Sequence, residues 1–184
     1  MQLVWATREH LPSYLDALNR GWSPDNVRGD VARLDELRKI AADADAFLAS
    51  LVDREAKGPP LMLLDGTTVP RLPGYRRWMW DGEFVGSIGL RWQPGTEALP
   101  PMVLGHIGYA VVPWKRGLGH ATTALRLLLP EAKAEGLRYV ELTVEPTNQA
   151  SRYVIEANGG VLIEEFVAPA AFGHRDGLRY RIDL

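Results

Sequence analysis

The sequence contains no cysteine, which excludes disulfide bonds, thiolate metal sites and covalent intermediates on a protein thiol. It also has no apolar run that approaches the ~18 residues of a membrane-spanning helix. The first residues lack the basic and apolar regions of a secretion signal. We therefore expect a soluble protein of the cytoplasm that has no membrane partner.

An excess of charge of either sign is missing as well. The 21 Lys and Arg residues against 23 Asp and Glu residues give a formal net charge of -2. Such a balance provides no general attraction to nucleic acid, so we expect no nucleic-acid partner. The four histidines show no metal-ligand spacing, so we also expect no metal site.

The 184 residues, of which 46% are apolar, suit one domain with a real core. We interpret residues 1–64 as a helical amino-terminal part of this single domain, 1–184. From Asp30 onward, apolar residues recur at spacings of three and four, which predicts one helix that ends before Gly58. Those apolar positions are Val31, Leu34, Leu37, Ile40, Ala44, Phe47, Leu48 and Leu51. The stretch 58–74 carries four prolines and is predicted to be a loop along the surface or a cleft.

The pattern then changes to that of strands. Asp81-Gly82 is typical of a hairpin turn and joins two predicted strands, 75–80 and 83–92. We expect Pro130 to kink or divide the following helix. Further strands are predicted at 104–112, 138–145, 161–167 and 178–184, with helices at 118–136 and 150–157. This order indicates an α/β (α+β) domain, in which a mixed, mostly antiparallel twisted sheet is flanked by helices.

The segment 111–121 is the most informative part of the sequence. A strand ends there, turns through Gly117 and Gly119, and enters a helix whose first amides can bind an anion. Arg116 could add a charge-assisted contact. A Walker loop requires Lys followed by Ser or Thr after the last glycine, and a dinucleotide fingerprint requires a third small residue where Thr122 stands. Both familiar phosphate loops therefore fit poorly.

The six residues from Arg116 to Ala121 instead resemble the acyl-CoA loop of the GCN5-related N-acetyltransferase (GNAT) superfamily. Residues 148–160 resemble its second cofactor helix, and segments between Val69 and Tyr109 are similar to one branch of predicted bacterial acetyltransferases. The resemblance covers about residues 65–184, whereas residues 1–64 match only in the order of their elements. It implies a GNAT-like fold and acetyl-CoA as the co-substrate.

The resemblance also implies which residues hold acetyl-CoA. Backbone groups of Ala110, Val111 and Val112 would bind the pantetheine arm as an added strand does. Amides of Arg116, Gly117, Leu118, Gly119, His120 and Ala121 would hold the diphosphate. Asn148 and Ser151 would contact the cofactor from the next helix. We expect the His120 side chain itself to face solvent.

Transfer from a thioester to an amine needs a proton acceptor and a donor for the oxyanion, but no covalent enzyme intermediate. We expect direct attack in a ternary complex, with the amide of Val111 or Val112 as the oxyanion donor. Glu141, Glu145 and His106 are the candidate bases, and a solvated polar strand face is the alternative for each.

Many relatives place a proton-donating tyrosine seven residues after the asparagine, where this chain has Ile155. Tyr153 is displaced by about 200° around the helix, and we interpret it as a structural residue. Trp78, Trp80 and Trp92 could line an acceptor pocket or serve in packing. Arg91 could bind an acceptor carboxylate or pair with a surface acid.

The sequence thus favours an acetyl-CoA-dependent N-acetyltransferase that acts on a primary amine of a small molecule or a peptide. Two alternatives remain open, a non-catalytic acyl-CoA-binding or sensing module and a protein that binds another nucleotide diphosphate at the Gly117–Gly119 turn. An apolar strand edge near the carboxyl terminus suggests a homodimer.

Overall fold

The computed structural model describes residues 1–63 and 65–184. Its strands are β1 (Gln2–Val4), β2 (Val52–Asp53), β3 (Leu61–Met62), β4 (Thr68–Val69), β5 (Gly74–Trp80), β6 (Phe84–Arg91), β7 (Ile107–Val111), β8 (Tyr139–Val144), β9 (Val161–Val167) and β10 (Asp176–Asp183). Its helices are α1 (Leu11–Asn19), α2 (Asp30–Ala42), α3 (Ala44–Ser50), α4 (His120–Ala134) and α5 (Gln149–Glu156).

The strands form two larger sheets and one small hairpin. The first sheet has the order β1-β5-β6-β7, with β2 also paired to β5, and the second has the order β8-β10-β9. β3 and β4 form the hairpin inside the segment predicted as a loop. All of these pairs are antiparallel. The predicted architecture, an α/β domain with mostly antiparallel strands flanked by helices, is therefore confirmed.

Helices cover both faces of the first sheet. On one face, α4 packs its buried residues Leu125 and Leu128 against a core that also receives side chains from β8 and β10. On the other face, α1 and α3 pack against a second core built around Trp78. Trp78 is fully buried, and its ring stacks on Tyr14 at a centroid distance of 4.2 Å. Trp78 therefore serves in packing and does not line an acceptor pocket.

The single helix predicted from Asp30 to before Gly58 is wrong, because the structure has two shorter helices. Asp43 adopts an extended conformation between α2 and α3, and its carboxylate accepts hydrogen bonds from the amides of Asp45 and Ala46. An Asp that caps the next helix ends the previous one. Val31 and Leu34, which were predicted to face the core, are exposed.

Glu36 occupies the buried side of α2 instead. Its carboxylate accepts hydrogen bonds from the Tyr14 hydroxyl and, at 2.7 Å, from Arg76 Nη1 on β5. A buried carboxylate requires such partners, since an unpaired charge in the interior is strongly unfavourable. This network joins α1 and α2 to the first sheet.

Pro130 does not divide α4, which was one of the two outcomes expected from the sequence. The helix runs without interruption from His120 to Ala134. Pro130 and Arg126 both lie on the exposed side of the helix. The carbonyl of Arg126, which loses its usual amide partner, can therefore bond to water.

Replacement of Leu125 by Ala is expected to lower the free energy of unfolding by about 2–5 kcal/mol, because it leaves a cavity in the core between α4 and the sheets. Leu127 of the same helix is 42% exposed, so Leu127→Ala should change the free energy of unfolding by less than about 0.5 kcal/mol. Urea denaturation followed by circular dichroism measures both. Equal losses in the two variants would contradict the assignment of the buried face.

Candidate active site

A cleft of about 870 Å³ opens between β7 and β8, where the two larger sheets meet. Residues of β7, of the first turn of α4, of the end of β8 and of α5 line it. Of the predicted cofactor residues, it includes Ala110, Val111, Arg116, Gly117, Gly119, His120, Ala121, Asn148 and Ser151. Val112 and Leu118 do not line this cleft. The structure thus gathers most of the predicted cofactor residues around one space.

Backbone groups alternate in direction along β7, so each residue can bond to only one side. The amide of Val112 donates to the carbonyl of Val85 at 2.9 Å, and the carbonyl of His106 accepts from Arg91 at 2.9 Å. In this register, the even-numbered residues of β7 bond to β6. The backbone of Tyr109 and Val111 therefore points into the cleft.

The structure corrects the prediction that the backbone of Ala110, Val111 and Val112 all faces the cofactor. The backbone of Ala110 and of Val112 is turned toward β6, while that of Val111 is turned toward the cleft. Tyr109 is the residue that the sequence analysis missed, although the two-residue period of a strand could have indicated it. Since the amide of Val112 is already bonded, Val111 is the better placed of the two predicted oxyanion donors.

The turn before α4 forms a cradle of amides. Gly117 and Gly119 have φ angles of 77° and 76°, a left-handed conformation that favours glycine. Among the described residues, the amides from Gly117 to Thr122 have no hydrogen-bond acceptor. These donors lie at the positive end of the dipole of α4, which makes the turn a suitable site for a diphosphate.

Charged side chains hold this turn in place. Lys115 Nζ donates to Asp81 Oδ1 at 2.6 Å and forms an ion pair with Glu83 at 2.7 Å. The His120 ring is largely buried, with its Nε2 3.7 Å from Asp81, so the expectation that it faces solvent is wrong. Arg116 Nε donates to the carbonyl of Val111 at 3.2 Å. The turn is thereby tied to both the β5–β6 hairpin and β7.

The start of α5 forms the opposite wall of the cleft. Asn148 caps this helix, with its Oδ1 accepting from the amide of Ser151 at 3.1 Å. The Tyr109 hydroxyl donates to the carbonyl of Ser151 at 3.3 Å, and burial raises the pKa of this phenol to about 12. Tyr153 lines the cleft and is 69% exposed, which does not support its interpretation as a packing residue.

The three candidate bases occupy different environments. Glu145 lines the cleft, is half exposed, and pairs with Arg175 Nη1 at 2.8 Å. Glu141 does not line the cleft, and its carboxylate accepts from Arg181 at 2.7 Å and from Arg179 at 3.3 Å. Of the predicted carboxylates, only Glu145 is thus open to a bound substrate.

His106 is fully buried and joins the two sheets. Its amide donates to the carbonyl of Glu141 at 2.7 Å, and its Nδ1 accepts from the amide of Glu141 at 2.9 Å. Its Nε2 lies 3.0 Å from the carbonyl of Glu97, to which it donates because Nδ1 carries no proton. Burial lowers the pKa of His106. Nδ1 and the amide of His106 therefore hold the start of β7 against β8 at one end of the cleft, while Nε2 holds the loop that contains Glu97.

A second cavity of about 520 Å³ lies on the face of the first sheet that carries α1–α3. The loop segments around β3 and β4, together with residues 102–105, form its rim. Gly108, Tyr109, Thr143 and Phe172 line both this cavity and the cleft, so the two spaces are contiguous. A molecule in the second cavity could therefore reach one in the cleft.

The sequence model described as the acetyltransferase (GNAT) family matches residues 38–159. The chain belongs to the GNAT family. A search of curated proteins gives no significant match. The GNAT fold is also that of the solved structures to which this chain is similar.

One of these is a ribosomal L7/L12 alpha-N-protein acetyltransferase in complex with coenzyme A, with 14% identity, a TM-score of 0.62, and coverage of 99% of this chain and 93% of that chain. A second is a microcin C7 self-immunity acetyltransferase in complex with acetyl-CoA and AMP, with 12% identity, a TM-score of 0.61, and coverage of 99% and 91%. A third is a mutant spermidine N-acetyltransferase from Vibrio cholerae, with 16% identity, a TM-score of 0.57, and coverage of 100% and 95%. At these identities the likeness concerns the GNAT fold.

Within residues 1–63 and 65–184, no group of three or more His, Asp or Glu side chains is arranged to hold a metal ion. In the same ranges, every helix is too short or too polar to cross a membrane.

The buried His106 should make stability depend on pH. Its pKa is lowered in the folded protein, whereas the unfolded chain has the ordinary value of about 6.5. As the pH falls through about 6.5, the unfolded chain takes up a proton that the folded protein does not, so the free energy of unfolding decreases. This contribution is present in full above about pH 6.5.

His106→Asn keeps an acceptor for the amide of Glu141 but does not titrate. Urea denaturation between about pH 8 and pH 5 should show a smaller loss of stability for this variant than for the wild type. His174→Asn, which alters an exposed turn, should behave as the wild type does. Parallel stability curves for wild type and His106→Asn would rule out the titration of His106 as a source of the pH dependence.

Proposed function

We propose that this protein transfers the acetyl group of acetyl-CoA to a primary amine of a small molecule or a peptide, by direct attack in a ternary complex. The observation that carries the proposal is the cleft between β7 and β8, where, within residues 1–63 and 65–184, the amides of Tyr109 and Val111 and those at the start of α4 have no hydrogen-bond acceptor. Pantetheine has two amides that suit a strand edge, and a diphosphate suits helix amides. Membership of the GNAT family supports the same donor.

The residues of the cleft suggest how each part of the donor is held. The backbone of Tyr109 and Val111 would bind the pantetheine arm, and the amides from Gly117 to Thr122 would bind the diphosphate. The thioester carbonyl would then lie near the amide of Val111. This donor would stabilise the negative charge that develops on the carbonyl oxygen.

The reaction needs no covalent bond to the protein. The neutral amine nitrogen attacks the thioester carbon, so that a C–N bond forms and the C–S bond breaks. The amine gives up one proton, and coenzyme A leaves as a thiolate that takes up a proton. With no cysteine in the chain, a thiol relay is excluded. Glu145 lines the cleft and is our proposed acceptor, directly or through water, of the proton that an ammonium group must lose before its nitrogen can attack.

Calorimetric titration is the first test of donor binding. Acetyl-CoA should bind saturably and much more tightly than ADP. Gly119→Ala should weaken acetyl-CoA by at least about tenfold, because alanine at a φ of 76° is strained by roughly 1–2 kcal/mol and the amide cradle must shift. Gly136, with a φ of 91°, follows the other end of the same helix, so Gly136→Ala introduces similar strain without altering the cradle.

The control variant Gly136→Ala should therefore bind acetyl-CoA as the wild type does. Failure of the wild type to bind at millimolar acetyl-CoA would overturn both the donor site and the enzymatic proposal. Tight binding without release of coenzyme A to any amine would favour the alternative function, a non-catalytic acyl-CoA-binding or sensing module.

Glu145→Gln tests the proton acceptor. The variant should lower kcat/KM for the amine by about 100-fold near neutral pH, and the defect should shrink at high pH, where the amine is already neutral. The KM for acetyl-CoA should be unchanged. Glu164→Gln is a matched control, because Glu164 is also half exposed and pairs with Arg179 at 2.7 Å but does not line the cleft.

Rates of coenzyme A release at several pH values measure both variants. If Glu145→Gln and Glu164→Gln gave the same rates as the wild type at every pH, Glu145 would not be the proton acceptor.

A further inference from the structure

The second cavity contains one more positive charge than its acidic side chains balance. Three acids are each paired with an arginine: Asp25 with Arg28 at 2.8 Å, Glu36 with Arg76 at 2.7 Å, and Asp53 with Arg71 at 3.9 Å. Arg91 also lines the cavity, but its side chain has no hydrogen bond or ion pair with any residue in the described ranges. The guanidinium group of Arg91 is thus available to a ligand.

The position of Arg91 directs its charge toward the cleft. Arg91 is the last residue of β6, and its amide bonds to the carbonyl of His106. Its Nη2, however, lies 3.3 Å from the point that a Cβ on Gly108 would occupy. The side chain therefore runs along β7 toward Val111. Gly89 and Gly108 are paired across β6 and β7, and neither has a side chain that would fill this part of the sheet face.

The surroundings of Arg91 favour an anionic ligand. Arg91 is an exposed residue, and its guanidinium group lies near the charges of Arg76 and Asp25. An arginine remains protonated at neutral pH. A carboxylate would compensate this charge and accept two parallel hydrogen bonds from the guanidinium fork.

Aliphatic side chains also line this cavity. Leu61, Val69, Leu72, Met102 and Leu104 contribute to it. Three residues of a strand separate Gly108 from Val111, which is about 10 Å. A guanidinium–carboxylate hydrogen bond takes up about 3 Å of this distance. The remaining length suits a short methylene chain between the carboxylate and the reacting amine.

We propose that the acceptor is an aliphatic amine whose far end carries a carboxylate, and that Arg91 binds this carboxylate in the second cavity. The inference rests on the proposed acetyl transfer, since it names the substrate class of the same site. The second cavity has a volume of about 520 Å³, which fits a small molecule. The amine would then reach the cleft beside Gly108 and Tyr109, which line both spaces.

Binding can be tested apart from turnover. Hexanoate, which lacks the amine, is titrated calorimetrically into the protein saturated with coenzyme A. Hexanoate should bind the wild type, and Arg91→Gln should weaken it by at least about tenfold, the usual effect of losing a charged hydrogen bond. Arg91→Lys should retain more affinity than Arg91→Gln, because it keeps the charge. Arg126→Gln is the control, since Arg126 is an exposed arginine outside both cavities.

Absence of hexanoate binding to the wild type, or equal affinity in wild type and Arg91→Gln, would overturn the inference. If Arg91→Gln and Arg91→Lys weakened hexanoate binding equally, the inference would also be overturned, since Arg91 would then act through its shape and not its charge.

Turnover separates this inference from the proposed function. 6-Aminohexanoate should release coenzyme A at least about tenfold faster than hexylamine in the wild type, and Arg91→Gln should remove this preference. If hexylamine reacted equally fast in the wild type, acetyl transfer would stand and the carboxylate site would fail. If hexanoate bound through Arg91 but no amine released coenzyme A, the carboxylate site would stand and acetyl transfer would fail.

Discussion

The contact between His106 and Glu141 determines the shape of the site. The amide and Nδ1 of His106 both bond to the backbone of Glu141, so an imidazole nitrogen takes the place that a neighbouring strand's carbonyl would otherwise fill. Gly105 allows this close approach, because a Cβ there would lie 3.0 Å from the carbonyl of Glu141. β7 and β8 are therefore held together at one end and free to diverge at the other. The backbone of Tyr109 and Val111 faces the cleft as a direct result of this divergence, with each carbonyl accepting a side-chain hydrogen bond, from Asn26 and Arg116 respectively.

The cleft and the second cavity both have a positive potential, but different groups produce it. In the cleft, amides of the α4 turn provide donors without formal charge, which is consistent with a chain whose net charge is -2. In the second cavity, the charges are formal, and most are neutralised in pairs such as Glu36 with Arg76. Buried pairs of this kind add little net stability, but they hold the helices against the sheet. The remaining charge of Arg91 is left open to a ligand.

Local patterns allowed much of the fold to be predicted from the sequence. The alternation along Tyr139–Val144 and the Asp81-Gly82 turn depend on neighbouring residues, and the structure has the strand and hairpin they indicated. The burial of Glu36 could not be predicted, since its partner Arg76 lies 40 residues away. The glycine turn before α4 could likewise be predicted from neighbouring residues. The hydrogen bonds of the His106 side chain could not be predicted, because Glu97 and Glu141 reach it only in the folded chain.

The alternation along β7 separates the backbone groups that face the cleft from the side-chain positions on the face that carries α1–α3. Odd-numbered residues turn their backbone to the cleft, while even-numbered positions face the side of the sheet that carries α1–α3, where Gly108 lines the second cavity and Ala110 packs in the second core. Side chains can be exchanged by mutation, but the backbone cannot. Acceptor choice could therefore diversify, in evolution or in a variant library, at positions that leave recognition of the donor intact.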